Sequence, residues 1–225
     1  MPTLREQLAE GALLRLTPQW RMTMRRAEAD VSEMLRRCQR PYVALSWGKQ
    51  SIVMAHIVYT IAPSVPCVHW TGPDAELIGD FRAVSAAFLA RWQVNYCELQ
   101  RGEKLSEAIA DFDASSGHDG VFVGLSAFES KGRRMTIRNS DHRHILRYAD
   151  GRVRCCPLAE WGIVELAAYI GLHDVPLLEP YRRYGLDVRT STGCREGGRT
   201  EGAIDLMRSG AAAEMRKRWR AKACH

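Results

Sequence analysis

No stretch of these 225 residues approaches the ~18–20 consecutive apolar residues that a membrane-spanning helix needs. The opening segment, Met1 to Glu10, lacks the basic-then-apolar layout of a secretory signal. Both absences lead us to expect a cytoplasmic protein with no membrane partner. Internal repeats and low-complexity linkers are also missing, so we expect one domain over 1–225. We expect it to divide into a helical extension (1–40), a core (41–139) and a C-terminal region (140–225). The cysteine count is odd, at seven, which argues against a disulfide framework. Acidic residues fall short of basic ones, 26 against 32, for a net charge of +6. Such a field attracts phosphates, from mononucleotides to nucleic acid. The remaining composition, 46% apolar and 26% charged, is that of an ordinary globular domain.

Thr17-Pro18 reads as a helix start, with Thr17 as N-cap and Pro18 in the first turn. Met24, Ala27, Val31, Met34 and Leu35 follow at helical spacing, with Met22 also read as core. This amphipathic helix should pack on the domain or form a homodimer contact. Beyond it, strand-like runs at 42–45, 65–70, 93–99 and 120–124 alternate with helix-like segments at 51–61, 74–91, 104–112 and from Ser126. Strands alternating with helices predict an α/β fold with a doubly wound, mostly parallel sheet. Residues 144–148 and 152–156 predict a hairpin around Asp150-Gly151, and 161–170 a helix. The stretch 175–198 reads as loop, and the segment from Thr200 as a C-terminal helical extension.

The first strand runs into Ser46-Trp47-Gly48-Lys49-Gln50-Ser51 and then a helix. Amides at a helix N-terminus lack intrahelical acceptors and sit at the positive end of the dipole, so they bind anions. Gly48 is expected to allow φ > 0 and close backbone approach. Lys49 adds a charge, and Ser46 and Ser51 add hydroxyls. The spacing is not that of the Gly-x4-Gly-Lys-Ser/Thr phosphate loop. An ordinary strand-to-helix turn with Lys49 in solvent would fit the six residues alone equally well.

Three further segments weigh in. Thr71-Gly72 follows the second strand. Gly124-Leu125-Ser126-Ala127-Phe128-Glu129-Ser130, then Arg133 and Arg134, follows the fourth. Cys156-Pro157-Leu158-Ala159-Glu160-Trp161 leads to Tyr169-Ile170, Val175-Pro176, Tyr181 and Gly193-Cys194. In order and spacing the chain resembles, over 40–195, the phosphoadenosine phosphosulfate (PAPS) reductase branch of the adenine nucleotide α-hydrolases, or PP-loop ATP pyrophosphatases. The resemblance implies ATP, or PAPS, lying across the strand ends with phosphates on Ser46, Trp47, Gly48, Lys49, Gln50 and Ser51. Adenine would sit near Leu45, His69-Trp70 and Val123-Gly124, and Thr71 and Gly72 would also belong to the nucleotide site. Lys49, Arg133 and Arg134 would stabilise charge on the transferring phosphoryl group, and Glu129 would orient an arginine or the ribose.

The resemblance implies adenylation or α–β phosphate cleavage that prepares a site for sulfur, with nucleic acid as acceptor, as in DNA phosphorothioation or base thiolation. A sulfur-donor partner such as a cysteine desulfurase goes with that chemistry. Four positions depart from the pattern. Trp47 takes a Gly or Phe place, Trp70 an Asp place and Ser126 an Arg place. Gln50 stands where ATP-cleaving members carry an Asp that helps hold Mg²⁺. Cys194 is read either as a sulfur-carrying thiolate or as a structural thiol. Cys155, Cys156 and Cys194 supply three thiolates, one short of a four-thiolate iron–sulfur cluster, so none is expected. Cys224-His225 lacks the Glu and Gly of the reductase motif, and Asp141-His142-Arg143-His144 reads as a solvated turn, not a metal site. Two alternatives stay open: a PAPS or adenylylsulfate reductase, and a non-catalytic nucleotide-binding subunit.

Overall fold

The computed structural model describes residues 2–71, 80–100, 105–138, 144–148 and 151–188. Two helices precede the first strand, where one extension was expected. α1 (Leu4–Leu14) opens with a capping box: the Thr3 hydroxyl accepts the Glu6 N–H at 3.3 Å, and the Glu6 carboxylate accepts the Thr3 N–H at 2.7 Å. α2 (Pro18–Arg37) begins at the predicted cap, with Thr17 Oγ1 accepting the Trp20 N–H at 3.3 Å. It buries Trp20, Ala27, Val31 and Met34 within the chain, whereas Met22, expected in the core, is 58% exposed.

The core then alternates: β1 (Pro41–Ala44), α3 (Lys49–Ile61), β2 (Cys67–Thr71), α4 (Phe81–Trp92), β3 (Tyr96–Gln100), α5 (Leu105–Ser116), β4 (Gly120–Val123) and α6 (Lys131–Arg138). β5 (Ile145–Arg147) and β6 (Val153–Cys155) form the predicted hairpin, followed by α7 (Ile163–His173) and α8 (Glu179–Tyr184). The six strands lie in the order β3-β2-β1-β4-β6-β5, all parallel except β5. This is the doubly wound α/β sheet expected. Two local readings differ. The helix after β4 starts at Lys131, because residues 127–129 turn first, and the stretch read as loop after Val175 contains α8, with Pro180 in its first turn. The expected C-terminal helix from Thr200 lies outside the described residues.

Strand alternation divides the core in two. Val43, Leu45, Cys67 and Phe122 join the larger cluster with α2, α3, α4 and α7. Tyr42, Val68 and Trp70 face the other way and pack with Leu105, Ala108, Ile109 and Phe112 of α5. α1 lies on α7 so closely that a Cβ at Gly11 would sit 2.4 Å from the Ala168 nitrogen. Gln7 of α1 is buried and ties the end of the described chain: its Oε1 accepts the Leu186 N–H at 2.6 Å, and its Nε2 donates to Asp187 at 2.8 Å.

At the other edge, Asp30 of α2 is buried and accepts from His144 Nδ1 at 2.8 Å. His144 Nε2 lies 3.5 Å from Glu160, which also pairs with Arg26. The hydrogen bond to Asp30 holds the His144 pKa above the usual imidazole value, against the opposing effect of burial, with Glu160 adding to the rise.

Candidate functional site

From β1 the chain winds through β2 to β3, then returns across the sheet to place β4 on the other side of β1. The connections leaving the carboxyl ends of β1 and β4 therefore part in opposite directions and leave a crevice, where open α/β sheets bind ligands. The segment 45–48 leaves β1 and runs straight into α3. The segment 124–130 leaves β4 and runs into α6.

In the first segment Ser51 Oγ is the hub. It accepts from the Ser46 N–H at 3.2 Å and the Ser46 hydroxyl at 3.1 Å, and donates to the Gly48 carbonyl at 3.0 Å. Gly48 is the N-cap of α3 and offers no side chain, so no cap hydrogen bond comes from that position. Lys49 is not in solvent: it is 3% exposed, its ammonium donates to the Val188 carbonyl at 3.1 Å and lies 5.3 Å from the centre of the Tyr181 ring. The Lys49 N–H meets the Tyr181 hydroxyl at 3.2 Å. Gln50 and Ser51 are also buried.

The left-handed residue of the loop is Trp47, at φ +59°, whereas Gly48 has φ −69°. The conformational freedom assigned to Gly48 is thus needed one residue earlier. The Trp47 side chain does not line the crevice. It is 1% exposed and packs edge-on against Phe88 (5.6 Å), Phe81 (6.1 Å) and His69 (6.4 Å) between ring centres. Two opposing magnitudes set the outcome of Trp47→Gly. Relief of the left-handed strain is worth about 1–2 kcal/mol, but an emptied aromatic site costs about 3–5 kcal/mol. A net loss of about 1–4 kcal/mol is expected from those two figures. A denaturant titration showing Trp47→Gly to be as stable as the parent chain would refute the buttressing role.

Gly124 packs against the start of α3. A Cβ there would lie 2.7 Å from the Ser51 nitrogen and 2.9 Å from the Gln50 carbonyl carbon. Ser126, in the place of a family arginine, is 1% exposed and donates to the Trp161 carbonyl at 2.6 Å, so it holds the turn shut. Glu129 accepts the Ser126 N–H at 3.3 Å and pairs with Arg133 one turn later. Of the two arginines expected near the phosphates, Arg133 is half-buried on this carboxylate and Arg134 is exposed on the outer side of α6.

At the end of β2, His69 and Trp70 point to opposite faces. His69 Nδ1–H donates to the Leu45 carbonyl at 2.8 Å, and burial holds the ring neutral, with its pKa below the usual value. Trp70 packs edge-on to Phe112 (5.6 Å) and Tyr42 (6.0 Å) on the α5 side. The two rings cannot both touch one adenine.

The Thr71 hydroxyl donates to Glu98 of β3, which also takes Arg82 at 2.8 Å. Burial raises the Glu98 pKa, but the Thr71 and Arg82 hydrogen bonds outweigh it and leave the carboxyl below its usual value. Sequence reasoning missed Glu98. The signal was its place on a parallel neighbour, two residues before the one that registers with Thr71.

Gly72, Cys194 and Cys224 lie outside the described residues. Cys155 and Cys156 are buried, and burial pushes the Cys156 thiol up to about 11. Cys97 is half-buried on β3, the edge strand. No group of three His, Cys, Asp or Glu side chains among the described residues could hold a metal ion. No described helix is long and apolar enough to cross a membrane.

No protein-family model matches the chain. It is 23% identical over 213 residues to sulfate adenylyltransferase subunit 2 of Caulobacter vibrioides, a match covering 74% of this chain and 67% of that one. It is 24% identical over 159 residues to phosphoadenosine 5'-phosphosulfate reductase of Thiocapsa roseopersicina, covering 58% and 62%. Among solved structures, PAPS reductase from Candida auris in a phosphate complex superposes with a TM-score of 0.52 at 14% identity, covering 73% of this chain and 86% of that one. The U34-tRNA thiolase NcsA of Methanococcus maripaludis, with its [4Fe-4S] cluster, gives 0.53 at 11%, covering 83% and 71%. Sequence relatives and fold neighbours agree: the chain is similar in sequence to a sulfate adenylyltransferase subunit and a PAPS reductase, and it shares the fold of the PAPS reductase and tRNA thiolase structures.

Proposed function

We propose that this chain is an enzyme that binds ATP across the carboxyl ends of β1 and β4. It activates a substrate oxygen by adenylate transfer or α–β phosphate cleavage, so that sulfur can take the oxygen's place. The observation that carries this reading is the glycine-capped N-terminus of α3 at the point where the sheet's winding reverses. Gly48 supports it. A Cβ there would meet Ser46 and Tyr181 only at 3.6 Å, an ordinary contact, so the protein's own packing does not demand glycine. The role left to Gly48 is close approach of a phosphate. Loop amides, the two serine hydroxyls and Lys49 would then bind and orient the phosphates, and charge stabilisation would supply most of the rate. Mg²⁺ would be held chiefly by the phosphates, since Gln50 offers only a neutral carbonyl. The acceptor we assign is nucleic acid, and the sulfur donor a partner protein.

The test is pyrophosphate release from ATP with Mg²⁺, paired with calorimetry on Lys49→Met, which keeps the buried stem but removes the charge. A charge-assisted hydrogen bond is worth about 1.5–3 kcal/mol, so ATP affinity should fall roughly ten- to a hundredfold. Unchanged affinity would remove Lys49 from the phosphate site. The relative and the fold neighbour named as PAPS reductases favour a second reading, reduction of PAPS. Sulfite release from PAPS and a thiol donor, without pyrophosphate from ATP, would select it. Tight ATP binding with neither product would select the non-catalytic subunit.

A further inference from the structure

α6 carries Lys131, Arg133, Arg134 and Arg138 in the eight residues KGRRMTIR, with no acidic residue. At 3.6 residues per turn, Lys131, Arg134, Met135 and Arg138 fall within an arc of about 100°. That arc is the solvent side: the three basic residues are exposed and Met135 is 59% exposed. Arg133 and Ile137 lie on the opposite side and are half-buried. Just before the helix, in the turn that Ser126 and Ala127 anchor to the Trp161 and Ala159 carbonyls, Phe128 is 67% exposed. The turn is therefore rigidly held while its aromatic side chain projects outward. This surface follows β4 directly, and β4 is hydrogen-bonded to β1, which feeds the phosphate loop.

We propose that Phe128 and the outer face of α6 bind a single-stranded stretch of nucleic acid and lead it to the crevice between β1 and β4. The proposal rests on the reading that nucleic acid is the acceptor. Lys131, Arg134 and Arg138 span about 10 Å of helix and neutralise successive phosphates. Phe128 offers a ring face on which an unstacked base stacks. A duplex, whose bases are already stacked, cannot use that ring. An acidic protein could use the charges but gains little from a lone projecting phenylalanine.

The experiment is fluorescence anisotropy of the full chain with labelled 20-residue oligo-dT, oligo-U and a duplex of equal length, across a salt series. Lys131→Ala/Arg138→Ala should weaken single-strand binding at least tenfold at low salt. It should also reduce the slope of log K against log salt by about 1.4, at 0.7 per phosphate contact. Phe128→Ala should weaken single-strand binding about tenfold, leave the salt slope in place and not affect the duplex. Preference for oligo-dT or oligo-U supports the proposal and assigns the polymer. Parent-like binding by both variants overturns it. So does displacement of the oligonucleotide by polyglutamate with no effect of Phe128→Ala, which would mark a docking face for an acidic protein. Calorimetry with ATP on the same samples separates the two readings. Intact ATP binding without these effects sinks only the α6 surface, and absent ATP binding sinks the nucleotide reading itself.

Discussion

Asp30→Ala should destabilise the chain by about 3–5 kcal/mol, the range for removing one partner of a buried charged pair. In a chain of this length that lowers the midpoint of thermal unfolding by on the order of 10 °C. The effect comes from what is left behind. His144 keeps its buried position on β5's approach, with Glu160 and Arg26 at the rim, but loses the acceptor of its Nδ1–H. The loss should depend on pH in a defined direction. The pKa of His144 is raised in the folded state, so the charged pair contributes fully below the unfolded imidazole value of about 6.5. That contribution is lost as pH rises through the folded value. The gap between parent and variant should therefore be wider at pH 6 than at pH 8.5, where only the neutral hydrogen bond remains. Calorimetric scans of both proteins at the two pH values decide it. A gap that widens toward alkaline pH would show that His144 is not the titrating partner.

Gly124→Val should cut nucleotide-dependent pyrophosphate release by about a hundredfold. A Cβ at this position already lies 2.7 Å from the Ser51 nitrogen and 2.8 Å from its Cα, and both are backbone atoms that cannot rotate away. Either β4 or the start of α3 must move by several tenths of an ångström, and valine's extra methyls enlarge the displacement. Displacing reacting groups by about 1 Å costs on the order of a hundredfold in rate. Overpacking adds a stability loss of about 1–3 kcal/mol, so the assay is run well below the unfolding transition. Gly132→Ala is the matched control, since its Cβ would meet nothing within 4 Å. Equal losses in the two variants, or none in Gly124→Val, would mean that the contact between β4 and α3 does not shape the crevice.

Much of the fold was legible because its signals are local. Alternating strand and helix periodicity located the parallel core, Thr17-Pro18 gave the start of α2, and the hairpin turning at Gly151 was marked by its residues. α1 was legible too, through the Thr3…Glu6 capping box, but it was merged with the next helix. α8 hid because six residues carry no periodicity, although a proline in the first turn, like the one that marked α2, was present again.

The site was legible as a place and less so as a set of side chains. Residue type gave the phosphate loop, but not the sign of φ at Trp47, which decides whether that ring faces a ligand or the core. Adjacent residues on a strand must diverge, and that constraint alone splits His69 from Trp70. Lys49 was expected at the phosphates. Its hold on Val188 depends on a segment 139 residues away, which no local pattern announces.

The packing of α1 against α7 also sets an order of assembly. α1 is made first, yet the surface it needs, around Ala167 and Ala168, is made some 150 residues later. Closing so long a loop costs only about 4–5 kcal/mol by chain statistics, which the buried Gly11 contact and the two hydrogen bonds of Gln7 can offset, but only once α7 exists. A nascent chain halted after β4 would carry α1 as a detached helix. Because Gln7 grips Leu186 and Asp187, next to the carbonyl that holds Lys49, α1 docks at the same stage at which the lysine of the phosphate loop is secured. A chain interrupted before α7 could thus hold a paired β1 and β4 and still lack a settled phosphate loop.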